Sequence, residues 1–330
     1  MPSTCLPPAQ TGDAQPVALG LDLGGTKAEA QLFDSHWRVI ARRRVATPGD
    51  YPALVAAIAG LIGWGRAQAG GPLPTGISAA GRVHPGTGLA LTANLAETGH
   101  PFPADIARAA GQPVAFLNDG QALTLSEAAL GVARGRGTVA SLIIGSGIGG
   151  GVAIDGGLTE GPGGFGGEIG HVAIAAAPVV THGLPLLRCG CGRTGCYETL
   201  IAGPGMERLA LHLTGRALTA PEVAALRESD ADAARIWSVW CELVAELVVM
   251  LTLTLDPDCI VLAGGLSRIE GLVPALTGSA ARVMLPGWPL PDLCLAEAGD
   301  ASGARGAGYA ALQGFAMTPI TTTPTTVEAP

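Results

Sequence analysis

VALGLDLGGTKAEAQLFD, residues 17–34, carries the pattern on which the fold turns. Residues 17–23 alternate apolar and small and read as a strand. Gly24-Gly25 reads as a turn, and residues 29–33 as a second strand. VASLIIGSGIGGGVAI, residues 139–154, repeats the sequence of strand, glycine turn and strand. Two copies of one supersecondary pattern predict two similar domains that face each other. VIARRRVAT reads as a third strand, and apolar residues recur at helical spacing over 51–68. PTGISAAG and PVAFLNDG each read as a strand closed by a turn, and residues 121–130 as a helix. Further helices are expected over 204–213, 220–227 and 230–255. DCIVLAGGL predicts another strand and glycine turn, and a last helix is expected over 304–316. Strands alternating with helices define an α/β chain.

Composition narrows the function. The chain has 330 residues, enough for two domains with sizeable cores. Charged residues make up only 14% and mean hydropathy is +0.39. Yet the strongest apolar run, LVVMLTLTL at 247–255, is too short to span a bilayer and follows Glu242 and Glu246. It is expected to be the buried end of an amphipathic helix, so no membrane role is expected. The first sixteen residues lack a basic and an apolar region and are read as a tail, not a signal peptide. The Thr/Pro-rich residues 317–330 are read as a second tail. A net charge of −8 argues against a broad nucleic-acid surface. Lys27 is the single lysine in the sequence. Seven cysteines, an odd number, with no secretory signal, point to a reducing, cytoplasmic compartment.

The densest chemistry lies in EIGHVAIAAAPVVTHGLPLLRCGCGRTGCYE, residues 168–198. His171, Cys189, Cys191 and Cys196 supply four ligands for one tetrahedral Zn²⁺. Buried thiols, or a disulfide within the group, are the competing readings. Four protein ligands leave no open position, so such a zinc is structural. Glu168 and Glu198 flank the group, and a metal here would fix the directions of both carboxylates.

Three glycine turns are candidate anion cradles. Asp22-Leu23-Gly24-Gly25-Thr26-Lys27 exposes backbone N–H groups and a hydroxyl, and Asp22 is a candidate for Mg²⁺. Gly145-Ser146-Gly147 opens a run with five glycines in seven positions. Gly264-Gly265 follows a strand and suits a flat adenine or ribose. Each turn taken alone reads as an ordinary turn first. Asn118-Asp119 stands where a strand gives way to a helix. Asp119 there is either a helix cap or a general base. Asn94, in TANLAETG, is a polar amide or a turn former.

Taken in order, DLGGTK, ND before a helix, GSGIGGG, EIGH, CGCGRTGCYE and AGG resemble the ROK family of sugar kinases and sugar-responsive repressors, in the actin-like ATPase superfamily. The resemblance spans residues 17–312. It implies two actin-like, ribonuclease H-like domains around a cleft, over 17–133 and 134–303, with the 304–316 helix returning to the first. It implies that Gly24, Gly25, Thr26, Gly145, Ser146 and Gly147 hold the phosphates of ATP, with Gly264 and Gly265 by the adenosine. Gly81, Asn94, Asn118, Asp119, Glu168, His171 and Glu198 would surround the sugar, with Asp119 as base toward its 6-hydroxyl. Lys27 would add charge near the phosphates. The seventeen residues between His171 and Cys189, together with LSEA, TANL and DPDCIVLAGGLS, resemble the N-acetylglucosamine kinases of the family. Family members commonly carry Gly-Thr-Gly where Gly145-Ser146-Gly147 stands, and proline where Ala80 stands. A homodimer is implied. The regulators of the family carry an N-terminal helix-turn-helix; about sixteen residues precede the first strand here, so a kinase is expected.

Overall fold

The computed structural model describes residues 15–92, 95–159, 161–297, 299, 302–315 and 317–318. Asn94, most of both expected tails and a few other positions lie outside the described residues.

Strands β1 (Ala18–Leu23), β2 (Lys27–Phe33) and β3 (Val39–Ala46) form an antiparallel meander. The second strand starts at Lys27 rather than at residue 29, because Gly24 N–H bonds the Lys27 carbonyl at 2.9 Å and tightens the turn. Helix α1 (Tyr51–Ala69) begins on Asp50, whose carboxylate accepts from Ala53 N–H, and stops at Gly70 in the left-handed region. Strand β4 (Thr75–Ala79) runs parallel to β1. The hairpin β5 (Gly81–Val83) and β6 (Ala90–Thr92) forms a two-stranded sheet of its own. Helix α2 (Phe102–Ala110) leads to β7 (Val114–Asn118), parallel to β4, and α3 (Asp119–Leu130) follows with no loop.

The second half opens with the meander β8 (Thr138–Ile144), β9 (Ile148–Ile154) and β10 (Gly157–Leu158). Helices α4 (Ala176–His182), α5 (Glu198–Ile201), α6 (Gly203–Thr214), α7 (Ala220–Leu226) and α8 (Ala231–Leu255) follow. Then come β11 (Cys259–Ala263), parallel to β8, α9 (Leu272–Val283) and β12 (Asp292–Leu295), parallel to β11. Helix α10 (Ser302–Leu312) and β13 (Met317–Thr318) end the described chain.

The two large sheets repeat one topology. Their orders are β13-β7-β4-β1-β2-β3 and β10-β9-β8-β11-β12. In each, an antiparallel meander of three strands carries two more strands added in parallel beside its first. This duplication was expected from the two glycine hairpins. Residues 317–318, expected in the tail, instead pair with the outer edge of β7, which satisfies part of an otherwise open strand edge. The last helix covers Ser302–Leu312, earlier at both ends than expected, and Gly314 at φ 72 turns the chain after it.

Helix α8 is long and apolar enough to cross a membrane by length and composition, but two-thirds of its most apolar window is buried inside the fold. Trp240 on α8 is fully buried and its indole N–H bonds the Ile201 carbonyl at 2.9 Å. The second half thus spends this helix on its core. Helix α10 packs on the first sheet at backbone distance: a Cβ on Gly20 would lie 1.8 Å from the Ala304 carbonyl oxygen, and one on Gly76 1.9 Å from that of Ala307. Only glycine permits that approach.

Candidate active site

The junction of β7 and α3 is the point from which the site is built. Asn118, not Asp119, caps the helix. Its side-chain oxygen accepts from Gly120 N–H at 2.9 Å, and Gln121 returns the bond to Asn118 N–H at 3.2 Å. The Asn118 amide also donates to the Gly81 carbonyl at 3.2 Å, tying α3 to the β5 hairpin. Asp119 is therefore the first helical residue rather than the cap, and it shares the capped N–H. Its carboxylate accepts from Gly120 N–H at 2.8 Å. Desolvation pushes its pKa above the ordinary carboxylate range; Gly120 N–H opposes this, Glu168 adds to it and Arg82 opposes it.

Arg82 is the side chain at this candidate site that sequence reasoning missed. Its guanidinium donates through Nε (2.8 Å) and Nη2 (2.5 Å) to one oxygen of Glu168, and it lies 5.4 Å from the Phe165 ring centroid. The ion pair joins the first half of the chain to the second. The available signal was its position directly after Gly81. The other Glu168 oxygen lies 3.5 Å from His171 Nε2.

His171 then turns its other ring nitrogen to the cysteines. Nδ1 is 3.6 Å from Cys189 Sγ, Cys191 Sγ is 3.7 Å from Cys196 Sγ, and the four ligand atoms all lie within 4.8 Å of one another. Tetrahedral zinc, with bonds of about 2.0–2.3 Å, sets ligand separations of roughly 3.5–3.8 Å, so the residues fit the ion. Burial and the two neighbouring thiols push Cys196 up to about 12. Three thiolates in one such space call for a cation between them. Glu168 on the far nitrogen of His171 is the carboxylate partner that metal-ligating histidines usually have.

Glu198 faces two ways. One oxygen accepts from Ile148 N–H at 3.0 Å, and the other lies 3.6 Å from Cys189 Sγ. It links the cysteine knuckle to the second glycine turn, where a Cβ on Gly147 would meet it at 2.9 Å.

The three glycine turns differ in character. In the first, Gly25, Thr26 and Lys27 are exposed, and Thr47 braces the turn by donating to the Gly24 carbonyl at 2.7 Å. Asp22 lies against the first turn of α10: a Cβ on Gly303 would sit 2.9 Å from its carboxylate. The second turn keeps Ser146 exposed, and its Gly145 carbonyl accepts from Gly203 N–H at the start of α6, at 2.8 Å. The third joins it, since a Cβ on Gly145 would be 4.0 Å from Gly265 N. Gly264, at φ 87, has a packing reason of its own: a Cβ there would lie 2.5 Å from the Ile144 carbonyl oxygen. Gly150 and Gly151 belong to β9 and pack on other backbone and on Thr124, so they are not part of an anion cradle.

A cavity of about 170 Å³ opens among Gly81, Arg82, Asn118, Gln121, Pro162 and Gly164. It is lined by two of the expected sugar residues. A larger hollow of about 480 Å³, between α9 and β12, shares no residue with this group.

Comparison with known proteins agrees with this architecture. The ROK family model matches residues 18–313, and the chain belongs to the ROK family. It is 39% identical over 291 residues to the N-acetylgalactosamine kinase AgaK of Shewanella sp. (strain ANA-3), covering 87% of this chain and 94% of that one. It is 35% identical over 293 residues to the N-acetyl-D-glucosamine kinase of Pectobacterium atrosepticum, covering 87% and 96%. A ROK family glucokinase from Streptomyces griseus, solved in complex with glucose and AMPPNP, superposes with a TM-score of 0.73 at 25% identity, covering 90% of this chain and 99% of that one.

Proposed function

We propose that the protein is an ATP-dependent kinase of 2-acetamido hexoses, transferring the γ-phosphoryl group to the 6-hydroxyl of N-acetylglucosamine. The observation that carries this reading is the placement of Asp119, a desolvated carboxylate at the start of α3, beside the Arg82–Glu168 pair and next to a cavity lined by Gly81 and Asn118. A family relative that binds glucose and AMPPNP together supports ATP as donor.

In this reading Asp119 takes the proton of the attacking hydroxyl, and its desolvated carboxylate is a better base than an exposed one. Glu168, Asn118 and the Gly81 backbone orient the sugar; a sugar-binding role for Asn94 follows from its sequence motif alone. The turns at Gly24–Thr26 and Gly145–Gly147 hold phosphate oxygens through backbone N–H groups and the Thr26 and Ser146 hydroxyls. Gly264 and Gly265 border the adenosine. Asp22 would hold Mg²⁺, which neutralises charge on the phosphates. His171, Cys189, Cys191 and Cys196 would hold a structural Zn²⁺ that orients Glu168 and Glu198. The chain divides into domains over 17–133 and 134–303, with α10 docked on the first. A cytoplasmic homodimer completes the proposal.

A second reading, N-acetylgalactosamine as acceptor, is favoured by the 39% identity to a kinase named for that sugar. The two sugars differ only in the configuration at C4. Initial rates of ATP-dependent phosphorylation across N-acetylglucosamine, N-acetylgalactosamine, N-acetylmannosamine, glucose and fructose test both. A maximum with N-acetylglucosamine supports the first reading, and one with N-acetylgalactosamine replaces it. No turnover with any of them rejects the kinase.

A further inference from the structure

The chain passes from the first large sheet to the second through residues 131–137 after α3, and returns between β12 and α10, where Ala296, Glu297 and Gly299 are the described residues. One side chain grips both passages. Glu127, on α3, is fully buried. One of its carboxylate oxygens accepts from Val132 N–H (3.2 Å) and from Glu297 N–H (3.2 Å). The other accepts from the Ser302 hydroxyl (3.0 Å) and from Arg305 Nη2 (3.2 Å). Its backbone carbonyl accepts from Gly131 and Ala133 as well. Gly131 leaves room for this carboxylate: a Cβ there would lie 2.1 Å from it, so a larger residue would shift the Glu127 side chain. Arg305, mostly buried, is oriented by a second bond from Nε to Ser126 Oγ at 2.7 Å.

A buried ion pair is weak evidence for stability, since apolar residues of similar volume often replace it without loss. This carboxylate does more than pair with Arg305, because two of its donors are backbone amides of the two crossings. It also lies on the helix that begins with Asp119, eight residues and about 12 Å along the axis. Domain closure in such enzymes turns on a few residues at element ends, far from the chemistry.

We propose that Glu127 is the pivot on which the two halves close, and so a positioning residue for Asp119. Holding both crossings to α3 makes the joint turn as one body, and the base arrives at the acceptor hydroxyl in register with the phosphate turns of the second half. The inference rests on the kinase reading above.

The test uses the full chain and two variants, Glu127→Gln and the double variant Glu127→Gln/Arg305→Met. Thermal midpoint, kcat, sugar KM and the radius of gyration by X-ray scattering with and without N-acetylglucosamine are measured. Glu127→Gln should lower kcat about 10- to 100-fold, the scale on which remote misplacement acts, with KM changed less than about threefold. It should also reduce the contraction on sugar binding. The double variant removes the unpaired buried charge. It should regain the thermal midpoint without regaining kcat. Recovery of kcat together with stability, or a kcat within twofold of wild type in Glu127→Gln, overturns the pivot. Should Glu127→Gln not fold, Ser302→Ala carries the same test. Lower kcat at unchanged KM and midpoint supports the pivot, and unchanged kcat overturns it. A wild-type chain that phosphorylates no sugar overturns the kinase reading instead. The pivot is then decided by the contraction alone, which Glu127→Gln must lose.

Discussion

Gly120 and Gly150 meet backbone to backbone, so closely that a Cβ on Gly120 would lie 2.3 Å from the Gly150 carbonyl oxygen. Gly150 is pressed from its other side too, with the Ser141 carbonyl oxygen 2.3 Å from where its own Cβ would be. One turn further along α3, Thr124 and Ser141 share a hydroxyl bond at 2.5 Å. The first turns of α3 therefore pack on the second sheet as well as the first. This contact sets how far Asp119, the residue before Gly120, stands from the Gly145 turn.

Gly120→Ala should separate these backbones. The methyl has no flexible neighbour to displace, and overpacking of this kind costs about 1–3 kcal/mol. The expected result is a lower urea midpoint with kcat reduced beyond the loss of folded protein. Urea unfolding beside kcat per folded molecule checks it. Wild-type kcat in the alanine variant would mean that the contact serves packing alone.

Asp119→Asn removes the base while keeping the size of the side chain and an acceptor for Gly120 N–H. Turnover should fall by about 10²- to 10⁴-fold, with sugar affinity by calorimetry nearly unchanged. The same residue sets the acid limb of the wild-type pH profile. The base works only when deprotonated, so the rate falls as pH drops through its pKa. Desolvation raises that pKa, and the limb should lie above the usual carboxylate range.

Glu97 offers a test of stability rather than rate. Its carboxylate is fully buried, neither oxygen has a side-chain hydrogen-bond partner among the described residues, and burial raises its pKa from 4.5 to about 7. The folded chain keeps a proton there that the unfolded chain has lost, so stability falls as pH rises from about 4.5 to about 7 and is level beyond. Glu97→Gln should be nearly neutral at pH 4 and stabilising by roughly 1–3 kcal/mol at pH 8. Urea midpoints of both proteins at the two pH values decide it. An equal effect at both would show that the carboxyl ionises freely in the fold.

Cys191→Ser tests the metal centre. The expected outcome is loss of zinc by elemental analysis, a lower thermal midpoint and a raised sugar KM, because His171 and Glu198 lose their anchor. A variant with full zinc content, or a zinc-free variant with wild-type KM, would contradict the proposed role.

Much of this molecule is local and was legible from residue order. The helix from 230 to 255, the two glycine hairpins, the strand ending at Asn118 and the cluster of His171 with Cys189, Cys191 and Cys196 each depend on spacing within one segment. The hairpin β5–β6 and the helices α2 and α4 escaped notice because they are short, and α9 because Pro274 and Gly278 interrupt its apolar pattern. The glycine-rich run at 145–151 misled in part. Gly145 and Gly147 form the turn, whereas Gly150 answers to Gly120, thirty residues earlier in the chain, and composition cannot tell a glycine that admits an anion from one that admits another backbone.

By itself the sequence determined the classes of element, their order, the duplicated hairpin and the grouping of one histidine with three cysteines, because periodicity and turn chemistry act over a few neighbours. Only the tertiary structure decided that Asn118 caps while Asp119 does not, that Arg82 reaches Glu168 across 86 positions, and that Glu127 gathers Val132, Glu297, Ser302 and Arg305 around one buried charge. A buried carboxylate takes whatever donors the folded chain brings within about 3 Å, and which donors those are depends on how the sheets and helices pack.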